Sequence, residues 1–378
     1  MKKRFLGFVL LCCVVMLSSC SANTSTVKRP VASAFDTVVE GQKLSLYMLK
    51  NKNGMEVYLT NYGARIVAIY TPDRNGKFAN VVLGYDSISQ YLKDQKYTGC
   101  VVGRYANRIS NGRLVLDSTY QLTQNEKTNL LHGGKSGFHK KIWSAEQKEN
   151  TVIMTYLSPD KEEGFPGNLS VSITYSLNDS DELKVEYQAT TDKKTVVNLS
   201  NHSYFNLLGS PDSTIFTHSI RIMADSFTPV GKLLIPTGEI ASVKNTPFDF
   251  NTSELIGKRI NDSIEQLNAG GGYDHNWVLR KKKNEFTLAF ILSEETTGRV
   301  MTVSTNEPGL QMYCSRRMGS TYTDKKGNQR IIPAGVVLET QHFPDSPNIP
   351  SFPSTVLEKD STYRQITVYD FSVKVQSN

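Results

Sequence analysis

From about Ala34 to the end of this 378-residue chain, short runs of alternating apolar and polar residues are separated by turn-forming residues at regular intervals. Typical runs are TVIMTYLSP, LSVSITYSLND, LKVEYQATTD and RQITVYDFSVKV. Period-two alternation rich in β-branched and aromatic residues is typical of strands that bury one face. Strands this numerous must stack in two sheets or close into a barrel, so the pattern predicts an all-β protein, with one large β-sandwich as the favoured architecture.

Helical signals are few and short. The segments SISQYLKDQ (87–95) and SIEQLNA (263–269) have the spacing for one or two helical turns. Between residues 34 and 375 the composition does not shift, and neither a long linker nor an internal repeat interrupts the strand pattern. We therefore expect a single domain over residues 34–378.

The first twenty residues, MKKRFLGFVLLCCVVMLSSC, have the three parts of a secretory signal peptide. A basic start precedes an apolar run, Phe5–Leu17, that is too short to span a bilayer, and small residues follow. The last four residues, Leu17–Cys20, resemble a bacterial lipobox, in which the cysteine is acylated and becomes the new N-terminus. Ordinary cleavage near Ser18-Ser19, without a lipid, is the alternative interpretation.

Lipidation is favoured because residues 21–33, SANTSTVKRPVAS, are polar, small and Pro-containing, as a flexible tether would be. The sequence therefore predicts a lipid on Cys20 that anchors the domain in the bacterial cell envelope, on the periplasmic side of the outer membrane. That lipid would be the protein's sole contact with a membrane.

Charge and cysteine content argue against a nucleic-acid-binding protein and against a disulfide scaffold. Removing residues 1–20 reduces the 43 basic residues to 40 against 36 acidic ones, a mild net charge of +4. The basic clusters at 139–141 and 280–283 have no interleaved aromatic residues and are interpreted as solvated surface loops. Cys100 and Cys314 are expected to be free or buried thiols, with a disulfide between them as the alternative.

One histidine, His202, stands inside the strand-like run LSNHSYFNL. The simplest interpretation is a core histidine whose ring nitrogens bond to nearby backbone, because buried polar groups normally find partners. The alternative is an acid or base at the floor of a binding cleft, which would need partners from elsewhere in the chain.

Other polar residues also interrupt apolar segments. Glu339 directly follows the run AGVVL, so it is paired with an arginine, or has a raised pKa and acts as a base, or faces solvent at a strand end. Asp274 follows three glycines, which permit close approach to a ligand or form a bulge. Arg108 could bind an oxygen-rich ligand or pair with a surface acid.

Four of the six histidines stand beside small, turn-forming or polar residues: His132, His202, His275 and His342. Histidine is the commonest metal ligand, so a metal site has to be considered. The chain has neither an HExxH motif nor a close histidine pair, and we expect no metal and no organic cofactor.

Taken together, the segments resemble the aldose 1-epimerase, or galactose mutarotase, family over nearly all of the chain after the signal peptide. Their order and spacing make the resemblance specific, whereas each would be weak alone. The matching segments are LTNYGARI, VVLGYDS, GRYANRI, NLLHGGKSGFHKKIW, LSNHSYFNL, PTGEI, TPFDF, GGYDHNWVL, TNEPGLQMY, VVLETQHFPDS and YDFSV. The chain departs from the family after TNEPGLQMY, where Cys314-Ser315-Arg316 replaces the common Thr-Gly-Asn at the expected edge of the cleft.

The resemblance implies a large antiparallel β-sandwich with a monosaccharide in an open cleft. It implies that His202 is the general acid and Glu339 the general base, with His132 close to the ring oxygen or the anomeric centre. The residues implied to bind or line the sugar site are Asn107, Arg108, Ser203, Tyr204, Asp274 and Gln311. A monomer or weak dimer is expected.

The chemistry of anomer exchange suits these residue types. Ring opening removes the proton of the C1 hydroxyl while the ring oxygen gains one, so one base and one acid suffice. Either Tyr204 or Trp277 could stack on the apolar face of the sugar. Two alternatives are a non-catalytic carbohydrate-binding protein on the same scaffold and an epimerase of phosphorylated sugars, although no extra basic phosphate site is recognisable.

Overall fold

Strands dominate the residues that the computed structural model describes, which are 28–210, 213–315, 320–323, 329–332 and 334–374. Both predicted helical segments form short helices, α1 (Ile88–Tyr91) and α2 (Glu265–Gly270). Single 3₁₀ turns occupy Ala32–Ala34, Ser110–Gly112, Phe138–Lys140, Glu162–Gly164, Ile215–Thr217, Ile256–Lys258 and Ser346–Asn348. The prediction of an all-β protein is confirmed.

The largest sheet has nine antiparallel strands. Its central strands alternate as the sequence predicted: in Leu169–Leu177 every second side chain, beginning with Leu169, is buried, and the intervening ones are exposed or partly exposed. In spatial order the strands are Ser144–Lys148, Thr151–Ser158, Leu169–Leu177, Glu182–Thr191, Thr362–Val373, Arg299–Thr305, Thr287–Glu294, His218–Ile222 and Glu254–Leu255.

Two smaller antiparallel sheets complete the main framework. The six-stranded sheet has the order Tyr204–Phe205, Val336–Gln341, Gly309–Ser315, Gly272–Leu279, Ala224–Thr228 and Ala241–Ser242. The four-stranded sheet has the order Leu46–Lys50, Glu56–Thr60, Arg65–Pro72 and Phe78–Asn80.

Short two-stranded ladders connect these sheets, and two of them hold segments of the candidate site. Arg108–Ile109 pairs with Leu130–Leu131, and Val101–Val102 pairs with Ser200–Asn201. The others are Thr37–Val39 with Gln42–Leu44, Arg113–Val115 with Thr119–Gln121, Thr195–Val196 with Val356–Leu357, and Ser320–Thr323 with Gln329–Ile332.

One continuous apolar core joins the three sheets. It contains Ile66 from the four-stranded sheet, Val171 and Ile173 from the nine-stranded sheet, and Met312 and Leu338 from the six-stranded sheet. Each such side chain contributes about 1.5–3 kcal/mol when it leaves water. Because the sheets share this core, they are stacked, and the predicted large antiparallel sandwich is confirmed.

The thiols are as predicted, but one basic cluster is not. Cys100 and Cys314 are both free and buried. Residues 280–283 lie at the surface, with Lys281 only partly exposed. The prediction that 139–141 form a solvated loop is wrong for His139, because the turn Phe138–Lys140 carries its ring inward against Tyr97, with ring centroids 4.6 Å apart.

The signal peptide and Cys20 lie outside the described residues and remain predictions. The structure describes residues 28–33 of the expected tether, and Lys28 and Arg29 contact the domain. Arg29 lies over the Tyr70 ring at 3.8 Å and pairs with Glu56 at 2.6 Å, and the Tyr70 hydroxyl donates to the carbonyl of Lys28. Within the described part of the chain, the helices are all too short or too polar to cross a bilayer.

Candidate active site

The six-stranded sheet forms the floor of the candidate site, and its register determines which side chains meet. Glu339 lies opposite Gln311, and Asp274 lies opposite Tyr313. Successive side chains of a strand point to opposite faces. Leu338 points into the core, so Glu339 and the residues in register with it face the other side, where a cleft opens.

The cleft has a volume of about 290 Å³, at the small end of the range for small-molecule sites. Its lining is largely polar or aromatic, which suits a ligand that carries many hydroxyl groups. The lining residues are Gln95, Lys96, Tyr97, Asn107, Arg108, Glu126, Leu131, His132, His202, Tyr204, Asp274, Tyr313 and Glu339.

Three titratable side chains converge in this cleft. His132, His202 and Glu339 are all buried, and each presents one nitrogen or oxygen atom within 4.8 Å of those of the other two. The two imidazole rings meet edge to face, with their centroids 5.2 Å apart. His202 thus has the partners that the acid–base interpretation required, and they come from distant parts of the chain.

His132 is held by the backbone of Asn107. The amide N–H of Asn107 donates to Nδ1 of His132 at 3.2 Å, and the amide of His132 donates back to the carbonyl of Asn107 at 3.0 Å. Burial, together with His202 and Arg108, holds the pKa of His132 well below its usual range, so the ring is neutral. Because Nδ1 accepts a hydrogen bond, the single ring proton lies on Nε2, and His132 offers the cleft a donor.

His202 is fixed by the ladder on which its strand ends. Its amide donates to the carbonyl of Cys100 at 2.8 Å, and its own carbonyl accepts the amide of Gly99 at 3.0 Å. The ring packs against Tyr97 and Tyr204, with centroids 5.8 and 5.2 Å away. Burial lowers the pKa of His202 to about 4.

Glu339 is only 2% exposed, so the interpretation of a strand-end carboxylate in solvent is wrong. Burial raises its pKa to about 8, and the nearby carboxyl of Asp274 acts in the same direction, while Arg108 lowers it. A carboxyl group in this state can accept and return a proton near neutral pH.

The expected sugar-binding residues form a connected group beside Glu339. Arg108 donates from Nε and Nη2 to the two carboxylate oxygens of Glu126, at 2.6 and 2.8 Å. Its Nη1 lies 3.8 Å from Oδ2 of Asp274. Nε2 of Gln311 donates to Oδ1 of Asp274 at 2.6 Å. Burial raises the pKa of Asp274, although Arg108 opposes this.

The expected residues do not all reach the cleft. Asn107, Arg108, Tyr204 and Asp274 line it, whereas Gln311 is not among the lining residues and donates a hydrogen bond to Asp274. Ser203 is 1% exposed and is not among the lining residues.

Three other residues from the sequence analysis lie elsewhere. The stacking role considered for Trp277 is wrong: its ring is fully buried in the core, and Nε1 donates to the carbonyl of Phe248. His275 packs against Phe248 in the same core region, with ring centroids 4.7 Å apart. His342 lies outside the cleft, and its Nδ1 is 2.6 Å from Oε2 of Glu307.

Sequence reasoning missed Tyr97 and Glu126. The Tyr97 ring lies between the rings of His132 and His139, with centroid distances of 4.7 and 4.6 Å. The backbone φ of Tyr97 is +58°. A positive φ is unusual for a tyrosine and marks a backbone that the surrounding structure constrains. Both residues belong to polar turns, DQKYTG and QNEKTN, which resemble ordinary surface loops in sequence.

The converging His132, His202 and Glu339 also raise the question of a metal ion. A metal at Nε2 of a neutral histidine requires the ring proton on Nδ1. In His132 that nitrogen faces an N–H donor, the amide of Asn107. The local hydrogen bonding therefore favours a proton-donating imidazole over a metal ligand.

An antiparallel sandwich whose cleft joins a carboxyl group and two imidazoles to guanidinium, amide and carboxylate groups defines an enzyme that transfers protons on a polyhydroxylated substrate. The family model described as aldose 1-epimerase matches residues 45–370. A galactose mutarotase from Bos taurus is 41% identical over 320 residues, which cover 84% of this chain and 92% of the relative. An aldose 1-epimerase from Escherichia coli K12 is 34% identical, with 88% and 96% covered.

Solved structures agree with these relatives. The structure of an aldose epimerase homologue from C. elegans has a TM-score of 0.78 and 31% identity, and the match covers 87% of this chain and 99% of the other. A galactose 1-epimerase from Lactobacillus acidophilus has a TM-score of 0.77 and 26% identity, with 90% and 97% covered. The chain belongs to the aldose 1-epimerase family. The predictions that it is an enzyme, an isomerase, and that it has mutarotase function are confirmed.

Proposed function

We propose that the chain interconverts the α and β anomers of galactose, glucose or a related aldose, with Glu339 as the base and His202 as the acid. The observation that carries this assignment is the convergence of Glu339, His202 and His132 in one buried cleft, with their reactive atoms within 4.8 Å of one another. The neighbouring Arg108 and Asp274 supply donors and acceptors for sugar hydroxyls.

Each step conserves protons between the sugar and these two residues. In ring opening, Glu339 takes the proton of the C1 hydroxyl, His202 gives a proton to the ring oxygen, and the C1–O5 bond breaks as the C1 carbonyl forms. Rotation about C1–C2 then presents the other face of the aldehyde. In ring closure, His202 recovers its proton from O5 and Glu339 returns one to O1, which yields the other anomer.

The pKa directions favour the open-chain stage of this cycle. Burial raises the pKa of Glu339 to about 8 and lowers that of His202 to about 4. Near neutral pH the pair therefore holds one proton, and it rests on Glu339. Ring opening starts from the minor form in which that proton lies on His202, and it ends with Glu339 protonated and His202 neutral. The cleft thus favours the protonation state of the intermediate.

His132 has a different task in this proposal. With its proton on Nε2, it donates a hydrogen bond to a sugar oxygen that gains negative charge, and it does not take part in the proton exchange.

The test is polarimetry, or proton NMR of the anomeric signals, on freshly dissolved α-galactose and α-glucose with the domain lacking residues 1–20. We expect equilibration far faster than in buffer alone. Rates equal to buffer, with sugar binding still detected by calorimetry, would leave the carbohydrate-binding protein as the function.

We also propose that Cys20 carries the lipid and places the enzyme on the periplasmic side of the outer membrane, as the lipobox-like sequence suggests. Mass spectrometry of the N-terminal peptide from membranes, compared with a Cys20→Ala variant, tests the lipid. Detection of an unmodified peptide that begins after Ser18 or Ser19 would contradict it.

We propose a monomer or weak dimer in solution, because one chain by itself already brings together the acid, the base and the sugar-binding groups of the cleft. Sedimentation at several concentrations of the domain lacking residues 1–20 tests this expectation. A stable oligomer that persists on dilution would oppose it.

A further inference from the structure

The carboxylate of Glu126 binds the guanidinium of Arg108 along one edge. Its two carboxylate oxygens accept Nε and Nη2 at 2.6 and 2.8 Å, the bidentate geometry that makes arginine–carboxylate pairs both strong and directional. The arginine side chain is 8% exposed and the glutamate side chain is 32% exposed. Glu126 therefore lies at the rim of the cleft and holds a group that is buried within it.

Several hydrogen bonds hold the turn that carries Glu126. The amide of Glu126 donates to the carbonyl of Asn129, and the amide of Asn129 donates back to the carbonyl of Glu126. Asn125 bonds with both its side-chain atoms to the backbone of Leu131. The next residue, His132, is the fixed donor described above, so one short segment positions both groups.

Because of its pairing with Glu126, only part of the Arg108 guanidinium is available to a ligand. Nε and Nη2 are committed to Glu126, while Nη1 points toward Oδ2 of Asp274 at 3.8 Å, a distance too long for a hydrogen bond. We propose that Glu126 is a positioning residue: it fixes Arg108 so that Nη1 faces the sugar, and it offsets part of the Arg108 charge that acts on Glu339. This inference rests on the mutarotase reaction proposed above.

The charges around Glu339 make the second part of this inference measurable. Arg108 lowers the pKa of Glu339, whereas Asp274 raises it. Glu126 opposes Arg108 at the neighbouring Asp274, whose pKa it raises. The other titratable groups near Glu339 are His132, His202, Tyr204, Cys100 and Tyr369.

The experiment compares Glu126→Gln with the wild type, by measuring KM and kcat for α-galactose and the pH profile of kcat/KM. We expect KM to rise roughly tenfold while kcat stays within about threefold, because the substitution loosens a binding group and leaves the acid and base in place. The apparent pKa near 8 should move downward, because Arg108 then acts on Glu339 without the opposing carboxylate.

Two further variants make the result specific. Glu126→Asp keeps the charge and should retain the wild-type apparent pKa. Glu146→Gln removes an exposed glutamate from the strand Ser144–Lys148 and should change neither quantity.

An unchanged KM and profile for Glu126→Gln would overturn the inference, and so would an upward move of the apparent pKa, which means that Arg108 has left the cleft. An inactive wild type would instead remove the proposed reaction itself, whatever the variants do.

Discussion

Two combinations of a glutamate with a histidine differ in whether the groups touch: Glu307 with His342, which is partly exposed, and Glu339 with His202, which are both buried. Glu307 and His342 are in direct contact at 2.6 Å, and this interaction raises the pKa of His342 although burial opposes it. Glu339 and His202 lie in the cleft, where burial raises the pKa of the carboxyl to about 8 and lowers that of the imidazole to about 4. Direct contact with Glu307 stabilises the charged form of His342, whereas separation in a buried cleft leaves Glu339 and His202 neutral and able to exchange protons with a ligand.

The two combinations lie close together at the six-stranded sheet. Glu339 belongs to Val336–Gln341, His342 follows directly, and Glu307 precedes the neighbouring strand Gly309–Ser315. The paired combination joins the ends of the two strands that carry Glu339 and Gln311. One contact therefore has a structural role, and the open arrangement beside it has a chemical one.

Removing the cleft carboxyl is expected to have the largest effect. Glu339→Gln and His202→Asn should each lower kcat for mutarotation by about 10²–10⁴-fold, because each removes one half of the proton exchange. Polarimetry on α-galactose measures the rates, and circular dichroism confirms folding. Either variant retaining wild-type kcat would end the acid–base assignment.

Removing the paired carboxyl should leave activity intact and lower stability. Glu307→Gln leaves His342 without its charged partner, and we expect the free energy of unfolding to fall by about 2 kcal/mol with kcat within about threefold of wild type. Urea unfolding monitored by fluorescence measures the change, with exposed Glu146→Gln as the matched control, expected within about 0.5 kcal/mol. A catalytic loss as large as that of Glu339→Gln would erase the distinction between the two combinations.

The pH profile of the cleft pair should be flat between pH about 4 and about 8 and fall on either side by about tenfold per unit. Below pH 4 both His202 and Glu339 are protonated and the base is lost, and above pH 8 the pair has no proton left for the acid. Measurement of kcat/KM from pH 4.5 to 9.5 checks the basic limb. A rate that keeps rising above pH 8 would mean that ionised Glu339 is the sole requirement.

The smallest effect concerns the pH dependence of stability at His342. Its pKa is raised in the folded state, so the stabilisation is fully present below the unfolded value of 6.5 and is lost as pH rises through the folded value. The stability difference between wild type and His342→Asn should therefore shrink as the pH rises through this window. Urea unfolding at several pH values tests this, and a difference that grows with pH would contradict it.

Strands were predictable because their signal is local. The alternation in LSVSITYSL predicts which side chains are buried, and the structure agrees at each residue. The same rule corrects Trp277: it stands three positions from Asp274 on one strand, and an odd spacing places two side chains on opposite faces.

The site was predictable only where a residue conflicted with its surroundings. His202 and Glu339 stand in apolar runs, where their polarity demands an explanation. Glu126 and Tyr97 stand in polar turns and conflict with nothing nearby. Their importance comes from the distant groups they contact, Arg108 and His132, and such contacts follow from tertiary packing that the local sequence does not encode.

The contacts of Arg29 with Tyr70 and Glu56 limit the distance between the domain and the lipid expected on Cys20. Thirteen free residues could span about 45 Å, but the contact of Lys28 with the domain leaves at most the eight steps from Cys20, or about 28 Å at full extension. With the lipid that we propose on Cys20, the enzyme would work within about one bilayer thickness of the membrane surface. The enzyme would then act on sugars where they enter or leave the envelope, and it would not reach the rest of the compartment.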